Sequence, residues 1–426
     1  MVLMAGLVCS LLLIGCTTSG TAPALSPTRS AAGGYTSDNS GVTPGYQGRT
    51  KDEFSPLIIT ELAPNPSPVK GSDNSFHMAY ELSVFNDSPR DAMMTQIETL
   101  ASNENGPVLA TLNQEQVAAN TQLAGDYSAS MIGSATIPAG RTAFVVFREA
   151  YPTKAEIPET FTHRISATFA PPAAGQSIFA AKYPDSVVQI GGIVSTGTLA
   201  PIVIGPPLSG DNWVAFSGLT PDGINAHSFA LAPIGGRING TERFAIDFIR
   251  LDPTAPPASK GVVGSFHGDA TKNSSYLAFD EPLLAVAQAT VVKVVSDQPD
   301  ETPSPVPVSE APLDLVTGNV IILDLGDGVF ALYAHMKMNS AEVRVGDKVT
   351  KGQEIGRLGN SGNSTEAHLH FQLQNGLLPL ASDNRSWVID RFTAAGTFGL
   401  DGIVSNPVPG PRTDELPLAN SVSNFP

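Results

Sequence analysis

The chain has 426 residues, of which 42% are hydrophobic and 15% are charged, and its net charge is −16. The negative net charge argues against a nucleic-acid partner, because proteins bind phosphate backbones through clusters of Lys and Arg. The 40 glycines and 35 prolines stay below the level of a wholly disordered sequence, and the hydrophobic share can fill real cores. Low charge, many turn residues and many β-branched runs favour an all-β protein with two domains.

The N-terminal segment predicts export and anchoring. Residues 1–16 read MVLMAGLVCSLLLIGC, an apolar run too short to span a bilayer comfortably and closed by small residues, as in a signal peptide. Leu13-Ile14-Gly15-Cys16 resembles the bacterial lipoprotein cleavage box, which would place a lipidated Cys16 at the mature N-terminus. The alternative is an ordinary secretory signal with a chance cysteine.

Residues 17–54 are rich in Ser, Thr, Gly, Pro and Ala and predict a flexible tether. Together with a lipid on Cys16, the tether predicts a protein held at a membrane of the cell envelope. In a two-membrane bacterium we expect the outer membrane, facing the periplasm. Without the lipid anchor, the same export signal predicts a secreted protein.

The first folded domain is predicted at residues 55–200. Strand-like runs alternate with turn signals, at 57–62, 78–85, 94–100, 143–147, 163–169 and 187–194. Regular strands at this spacing predict an immunoglobulin-like β-sandwich. His77 and His163 stand alone in it, so the domain is interpreted as a spacer or binding module, followed by a proline-rich linker at 198–210.

The second domain is predicted at residues 211–390. The apolar runs 320–325 and 329–333 flank Gly326-Asp327-Gly328, which predicts a hairpin. Two further short strands are expected at 343–345 and 354–358. Residues 391–426 are rich in Gly, Pro and Asn and are interpreted as a C-terminal tail, either packed or loosely ordered.

Two histidines alternate with apolar residues in the run His368-Leu369-His370-Phe371. In a strand, His368 and His370 point to the same face, with side chains roughly 7 Å apart along the strand. Two imidazoles placed in this way can converge on one metal ion and its bound water.

Three further features fall in register with this triplet: His335 in Tyr-Ala-His, the Val-Gly-Asp-x-Val-x-x-Gly-Gln-x-Ile-Gly hairpin, and Gly359-Asn360-Ser361-Gly362. In order and spacing the set resembles the lysostaphin-like zinc metallopeptidases, or LytM-type domains, over residues 213–387. The resemblance implies a β-sheet peptidase domain that uses Zn²⁺ to cleave the peptides of peptidoglycan. It implies that Asp247 and His370 ligate zinc, that His368 is the general base, and that His335 stabilises the oxyanion.

One position departs from the family. Its members carry His-x-x-x-Asp with both residues on zinc, but the residue four before Asp247 is Arg243. Arginine stays protonated and offers no lone pair, so we expect Arg243 to hold a nearby carboxylate or the substrate instead. The departure leaves a second function open: a catalytically degenerate domain that binds peptidoglycan or regulates a partner hydrolase.

His227 is predicted to replace the missing ligand. The runs 229–234 and 244–248 flank a turn and are expected to pair antiparallel. If that turn centres on Gly235-Gly236, His227 lies opposite Phe244 and can reach the metal from the neighbouring strand.

Other outcomes stay open for this ligand. A turn centred on Asn239-Gly240 would place His227 opposite Asp252, too far along the strand. His227 can also merely cap a strand end, and His267 in a polar loop is another candidate ligand.

Overall fold

The computed structural model describes residues 54–62, 65–126, 133–176, 178, 180–220, 224–254, 264–304, 315–399, 404–405 and 409–426. The predicted signal peptide, Cys16 and the predicted tether up to residue 53 lie outside these residues. Strands make up nearly all of the regular structure that is described, which confirms the all-β prediction. No helix among these residues is long and apolar enough to cross a membrane.

The first ten strands form two sheets. In chain order they are β1 (Leu57–Glu61), β2 (Val69–Lys70), β3 (Phe76–Asn86), β4 (Ala92–Ala101), β5 (Val108–Asn113), β6 (Thr121–Leu123), β7 (Thr136–Ile137), β8 (Thr142–Tyr151), β9 (Thr160–Phe169) and β10 (Ser186–Ser195). One sheet has the order β1-β3-β8-β6 with β2 beside β3, and the other has the order β10-β9-β4-β5 with β7 beside β4.

The two sheets share one hydrophobic core, so this region is a β-sandwich. Leu82 and Val145 from the first sheet belong to the same buried cluster as Ile97 and Ile165 from the second. Along strands such as β3, the residues of this cluster recur at every second position, as expected for one buried face. An immunoglobulin-like connectivity stays a prediction.

Helical structure is confined to short segments of the described chain. The helix α1 (Gln114–Ala119) begins at Asn113, whose side chain accepts a hydrogen bond from the Gln116 N–H while the Gln116 side chain accepts one from the Asn113 N–H. This reciprocal cap satisfies two backbone donors that the first turn would otherwise leave free. Single 3-10 turns span Lys154–Glu156, Ala180–Lys182, Ala226–Phe229 and Asn273–Ser275.

Seventeen strands follow the sandwich in the part of the chain that the structure describes. They are β11 (Ile202–Ile204), β12 (Gly210–Ala215), β13 (Leu231–Ile234), β14 (Arg237–Gly240), β15 (Ile246–Arg250), β16 (Pro282–Leu284), β17 (Ala289–Val295), β18 (Asn319–Gly326), β19 (Val329–Met336), β20 (Lys348–Val349), β21 (Glu354–Arg357), β22 (Leu369–Gln374), β23 (Trp387–Ile389), β24 (Phe392–Phe398), β25 (Val404–Ser405), β26 (Gly410–Arg412) and β27 (Ser421–Phe425).

One eleven-stranded sheet dominates this second region, in the order β20-β17-β18-β19-β22-β15-β12-β27-β24-β25, with β26 beside β24. The predicted hairpin at Gly326-Asp327-Gly328 is confirmed, because β18 and β19 pair antiparallel around it. Tyr333 and Phe371 pack edge to face at 5.1 Å between ring centroids, and Phe371 packs against Trp387 at the same distance. These rings anchor β19 and β22 in the core.

One open sequence expectation is resolved here and two others need correction. The described part of the predicted tail is packed and not loosely ordered, because β24, β26 and β27 extend the large sheet and β27 pairs with β12. The expected linker contains β11, which pairs in parallel with β23. The run 343–345 is not a strand, because Asp347 Oδ2 accepts the Arg344 N–H at 2.8 Å and closes a turn there.

The sandwich packs directly against the second region. Val69 and Ala79 from the first sheet lie in the same buried cluster as the large sheet's core. The Ser72 N–H donates to the Leu416 carbonyl at 3.0 Å, and Lys70 pairs with Glu415 at 2.8 Å. All described residues belong to one compact unit.

Candidate metal centre

The middle of the large sheet brings Asp247 and His370 together. β22 lies between β15 and β19, and in the β15–β22 ladder Asp247 is directly opposite His370. Opposed residues of an antiparallel pair point to the same face, with Cβ atoms about 4.5–5.5 Å apart. The side chains meet: His370 Nδ1 lies 3.0 Å from Asp247 Oδ1.

His335 reaches the same face through a β-bulge. The β18–β19 register shifts between Ile321↔Tyr333 and Asn319↔Met336, so two residues of β19 oppose one residue of β18. His335 occupies this bulge with φ of 58°. Regular alternation would send its side chain to the far face, because Ala334 is already opposite His370. The bulge and the left-handed backbone redirect the ring, which lies 4.7 Å from the His368 ring between centroids.

His227 also lies at this centre. Its Nε2 is 3.3 Å from Asp247 Oδ2, and its ring packs edge-on against the His370 ring at 5.0 Å between centroids. The 3-10 turn that carries His227 is capped by Asn225, whose side chain accepts the His227 N–H at 3.1 Å. The cap fixes the backbone that aims the imidazole.

The path by which His227 arrives differs from the predicted one. The turn does centre on Gly235-Gly236, since Ile234 pairs with Arg237, but β13 pairs with β14 and not with the run 244–248. Residues 246–248 of that run belong to β15, which pairs with β12 and β22 instead. His227 therefore approaches Asp247 from a turn that precedes the hairpin, and not from a neighbouring strand.

The residues at this centre fit a metal ion. One ligand atom from each of His227, Asp247 and His370 can be chosen so that all three lie within 4.8 Å of one another. Two imidazole nitrogens and one carboxylate oxygen form a donor set that suits zinc and leaves a fourth position open. The other candidate, His267, is 58% exposed and pairs with Asp252 at 3.3 Å, away from this cluster.

The charges of the cluster favour a cation. Burial alone would raise the pKa of Asp247, but the neighbouring His227 and His368 outweigh it and hold that pKa well below its usual range. Burial opposes charging of His227, yet attraction to Asp247 and Glu242 raises its pKa to about 10. The pKa of His370 is also raised, against burial, by its hydrogen bond with Asp247. Asp247 is thus ionised and attracts a proton or a metal ion into the space it shares with the two rings.

Two further histidines present a free nitrogen to the centre. His368 Nδ1 donates to the Glu366 carbonyl at 2.8 Å, and His335 Nδ1 donates to the Ser361 carbonyl at 2.8 Å. A neutral ring that donates from Nδ1 carries a lone pair on Nε2. His368 Nε2 points toward Asp247 Oδ1, at 3.6 Å.

Both of these rings are held neutral. Burial lowers the pKa of His368, although Asp247 opposes that effect. Burial, together with repulsion from His368 and His370, lowers the pKa of His335 to about 3. The oxyanion role expected for His335 needs a donor on Nε2, and its surroundings oppose the second proton that such a donor requires.

Arg243 does not serve the metal centre, which corrects the expectation that it holds a site carboxylate or the substrate. Its Nε and Nη2 donate to the two oxygens of Glu81 in β3, at 3.0 and 2.6 Å. Nη1 lies 3.5 Å from Asp383. The chain between residues 241 and 244 is a turn, which directs Arg243 toward the sandwich before β15 begins.

Sequence reasoning missed two residues beside the centre. Glu242 Oε1 lies 3.8 Å from His370 Nε2, because the turn points this residue toward the site while its neighbour points away. Gln372 Oε1 accepts from the same nitrogen at 3.1 Å. Gln372 follows His370 by two positions in β22, so its side chain lies on the same face of the strand. This contact could therefore have been predicted from the sequence.

The sequence match to a known protein family includes some of the residues of this centre. Residues 277–382 match Peptidase family M23. The match contains His335, His368 and His370, whereas His227 and Asp247 precede it. A segment of 55 residues is 47% identical to glycyl-glycine endopeptidase ALE-1 of Staphylococcus capitis and covers 13% of this chain and 15% of that relative.

Solved structures with a similar backbone include two peptidase domains. The catalytic domain of lysostaphin from Staphylococcus simulans is 19% identical, with 41% of this chain and 88% of that chain covered and a TM-score of 0.23. A catalytic domain of the prophage-encoded M23 protein EnpA from Enterococcus faecalis is 21% identical, with 44% and 95% covered and a TM-score of 0.24. At these scores the likeness supports no inference about activity.

Proposed function

We propose that this chain, in which residues 277–382 belong to peptidase family M23, is a zinc-dependent endopeptidase that cleaves the peptides of peptidoglycan. The observation that carries the proposal is the convergence of His227, Asp247 and His370 on one point of the sheet. His335 and His368 stand beside that point with free nitrogens. Metal ligands and proton acceptors together are what metal-assisted hydrolysis requires.

The ligands we assign to zinc are His227, Asp247 and His370. Zinc held there would supply a Lewis acid, which makes water nucleophilic near neutral pH and polarises the scissile carbonyl. The carboxylate of Asp247 also neutralises positive charge on the neighbouring imidazoles. The site is therefore assembled around one permanent negative charge.

His368 is the general base in this proposal. Its Nδ1 proton is held by the Glu366 carbonyl, so its Nε2 lone pair is the atom that accepts a proton from the attacking water. Asp247, 3.6 Å away, stabilises the imidazolium that forms. The same proton can then pass to the leaving amine.

His335 has a different role in this proposal. With Nδ1 bound to the Ser361 carbonyl, its Nε2 accepts a hydrogen bond and thereby orients the water or the substrate N–H group. The β-bulge in β19 directs the ring toward the centre. Stabilisation of the oxyanion by His335 would require a second proton on this ring.

The experiment is cleavage of purified peptidoglycan and of synthetic glycine-containing peptides by the full chain loaded with zinc. The glycyl-glycine endopeptidase name of the Staphylococcus capitis relative makes a Gly-Gly bond the first peptide to test. We expect cleavage that a chelator abolishes and added zinc restores. His267→Ala, at an exposed histidine outside the cluster, is the matched control and should cleave like the parent chain.

A second function is favoured by Arg243 at the position of a family ligand. In that alternative the domain binds peptidoglycan without cutting it, or regulates a partner hydrolase. Retention of the chain on peptidoglycan, with neither stoichiometric zinc nor new peptide ends, would support this alternative and contradict the peptidase.

We also propose that a lipid on Cys16 anchors the protein in the cell envelope, at the outer membrane facing the periplasm in a two-membrane bacterium. The apolar run, the cleavage box and the polar tether of the sequence support this location. Cys16→Ser should release the protein from the membrane fraction or leave its signal uncut. Unaltered processing and membrane association in that variant would contradict the anchor.

A further inference from the structure

We propose that Gln372 and Gln374 are positioning residues that fix the tautomer of His370 through a directional chain of hydrogen bonds. The inference rests on the proposed function only in taking His370 as a metal ligand. The two glutamines follow His370 at every second position of β22, so all three side chains share one face. Both glutamines are completely buried.

The chain of contacts is continuous. His370 Nε2 lies 3.1 Å from Gln372 Oε1, Gln372 Nε2 lies 2.7 Å from Gln374 Oε1, and Gln374 Nε2 lies 2.8 Å from the Gly376 carbonyl. Buried amides of this kind are costly unless both of their ends are paired. These three contacts pair both ends of each amide.

The last contact sets the direction of all the others. A backbone carbonyl can only accept, so the Gln374 NH₂ group must face Gly376 and its oxygen must face Gln372. Gln372 then donates with its NH₂ group and turns its oxygen toward His370. In the neutral ring His370 Nε2 must therefore be the protonated nitrogen. Nδ1, which donates to Asp247 only when the ring is doubly protonated, then carries the lone pair that a metal ion would take.

The far end of the chain is fixed in space. A Cβ atom at Gly376 would meet Ser382 Oγ at 2.5 Å, so a larger residue there would have to displace that hydroxyl group. Gln374 also forms an isolated bridge with Asn384, which ties the strand end to the segment after the turn. A fixed carbonyl at one end thus determines which nitrogen of the ligand is available at the other end.

Zinc affinity of the full chain, measured by competition with a chelating dye, tests the proposal. Gln372→Met keeps the volume but removes the acceptor, and we expect zinc affinity to fall about 10–100-fold. Gln372→Glu keeps an acceptor for Nε2–H, so zinc affinity should stay within a few-fold of the parent although the melting temperature falls. Gln353→Met, in an exposed turn, is the control and should change neither quantity.

NMR of the parent chain tests the tautomer of His370 directly and does not depend on whether a variant folds. In the parent chain, ¹⁵N NMR of the His370 ring should show Nε2 protonated and Nδ1 unprotonated, with zinc bound or at the alkaline end of its titration without zinc. A proton on Nδ1, or a parent-like zinc affinity in Gln372→Met, overturns the proposal. Neither measurement uses a peptide, so absent hydrolysis would count against the proposed function and leave the tautomer result standing.

Discussion

Arg243 and Glu81 form a buried bidentate ion pair that joins the large-sheet region to the sandwich. Arg243 is 8% exposed and Glu81 is 1% exposed. Arg148 in β8 approaches the same carboxylate, with Nη1 3.4 Å from Oε1, so Glu81 lies between two guanidinium groups. Burial would raise the pKa of Glu81, but Arg243 and Arg148 lower it, so the carboxylate is ionised. Position 243, where the sequence resemblance led us to look for a zinc ligand, thus connects two parts of one molecule.

Removing the shared carboxylate should destabilise the whole unit. Glu81→Ala leaves the buried Arg148 without its carboxylate partner and Arg243 with only Asp383, and we expect the free energy of unfolding to fall by about 3–5 kcal/mol. Urea denaturation of the full chain measures the change. Asp269→Ala breaks an exposed pair with Lys272 and should cost less than about 1 kcal/mol. If both variants lost the same free energy of unfolding, Glu81 would not stabilise the contact between the sandwich and the large sheet.

Restoring the family residue at position 243 should not restore a ligand. We expect Arg243→His to leave zinc affinity unchanged and to lower stability, because this side chain faces Glu81 and not the metal centre. His227→Ala should lower zinc affinity on the order of a hundredfold, since one of three protein ligands is lost. If Arg243→His recovered that affinity in the His227→Ala background, the assignment of His227 would be wrong.

The two histidines of the His-Leu-His triplet should differ in the kind of loss they cause. His370→Ala should lower both zinc content and peptide cleavage, because it removes a ligand. His368→Ala should keep nearly stoichiometric zinc while cleavage falls on the order of a hundredfold or more. Metal analysis and turnover on the same preparations separate the two effects. Full zinc and unchanged cleavage in both variants would exclude the catalytic assignment.

His163 makes the stability of the sandwich depend on pH. It is fully buried, with Nδ1 donating to the Gly192 carbonyl at 2.7 Å and Nε2 2.9 Å from the Tyr80 hydroxyl. Burial lowers the pKa of His163 from its ordinary value of 6.5 to about 4. Below the ordinary value the unfolded chain binds a proton that the folded chain does not, so stability falls as pH falls between these two values.

We expect this histidine to account for about 3 kcal/mol of stability lost between those pH values. The measurement is the difference in unfolding free energy between the parent chain and His163→Gln across that pH range. The variant should show a shallower slope, although it is less stable at neutral pH. His267→Gln, at an exposed histidine, should keep the parent slope, and parallel slopes in all three proteins would refute the assignment.

The sequence by itself determined what depends on local pattern. The β18–β19 hairpin follows from β-branched runs on either side of Gly326-Asp327-Gly328, and the common face of His368 and His370 follows from a two-residue period. The same period, read two positions further, includes Gln372. Such features need no knowledge of distant residues, because backbone geometry alone fixes them.

Only the tertiary structure decided what depends on contacts across long stretches of chain. His227 lies beside Asp247 because a capped 3-10 turn carries it there, while β15, which holds Asp247, pairs with other strands. A register argument from one hairpin could not supply that path. Arg243 faces Glu81 because the sandwich packs against the turn before β15, and its charge is stable there only because a buried carboxylate from another sheet meets it. Local sequence preference does not indicate which distant residue will contact His227 or Arg243. Each of these contacts depends on the packing of all the elements that lie between the two residues in the chain.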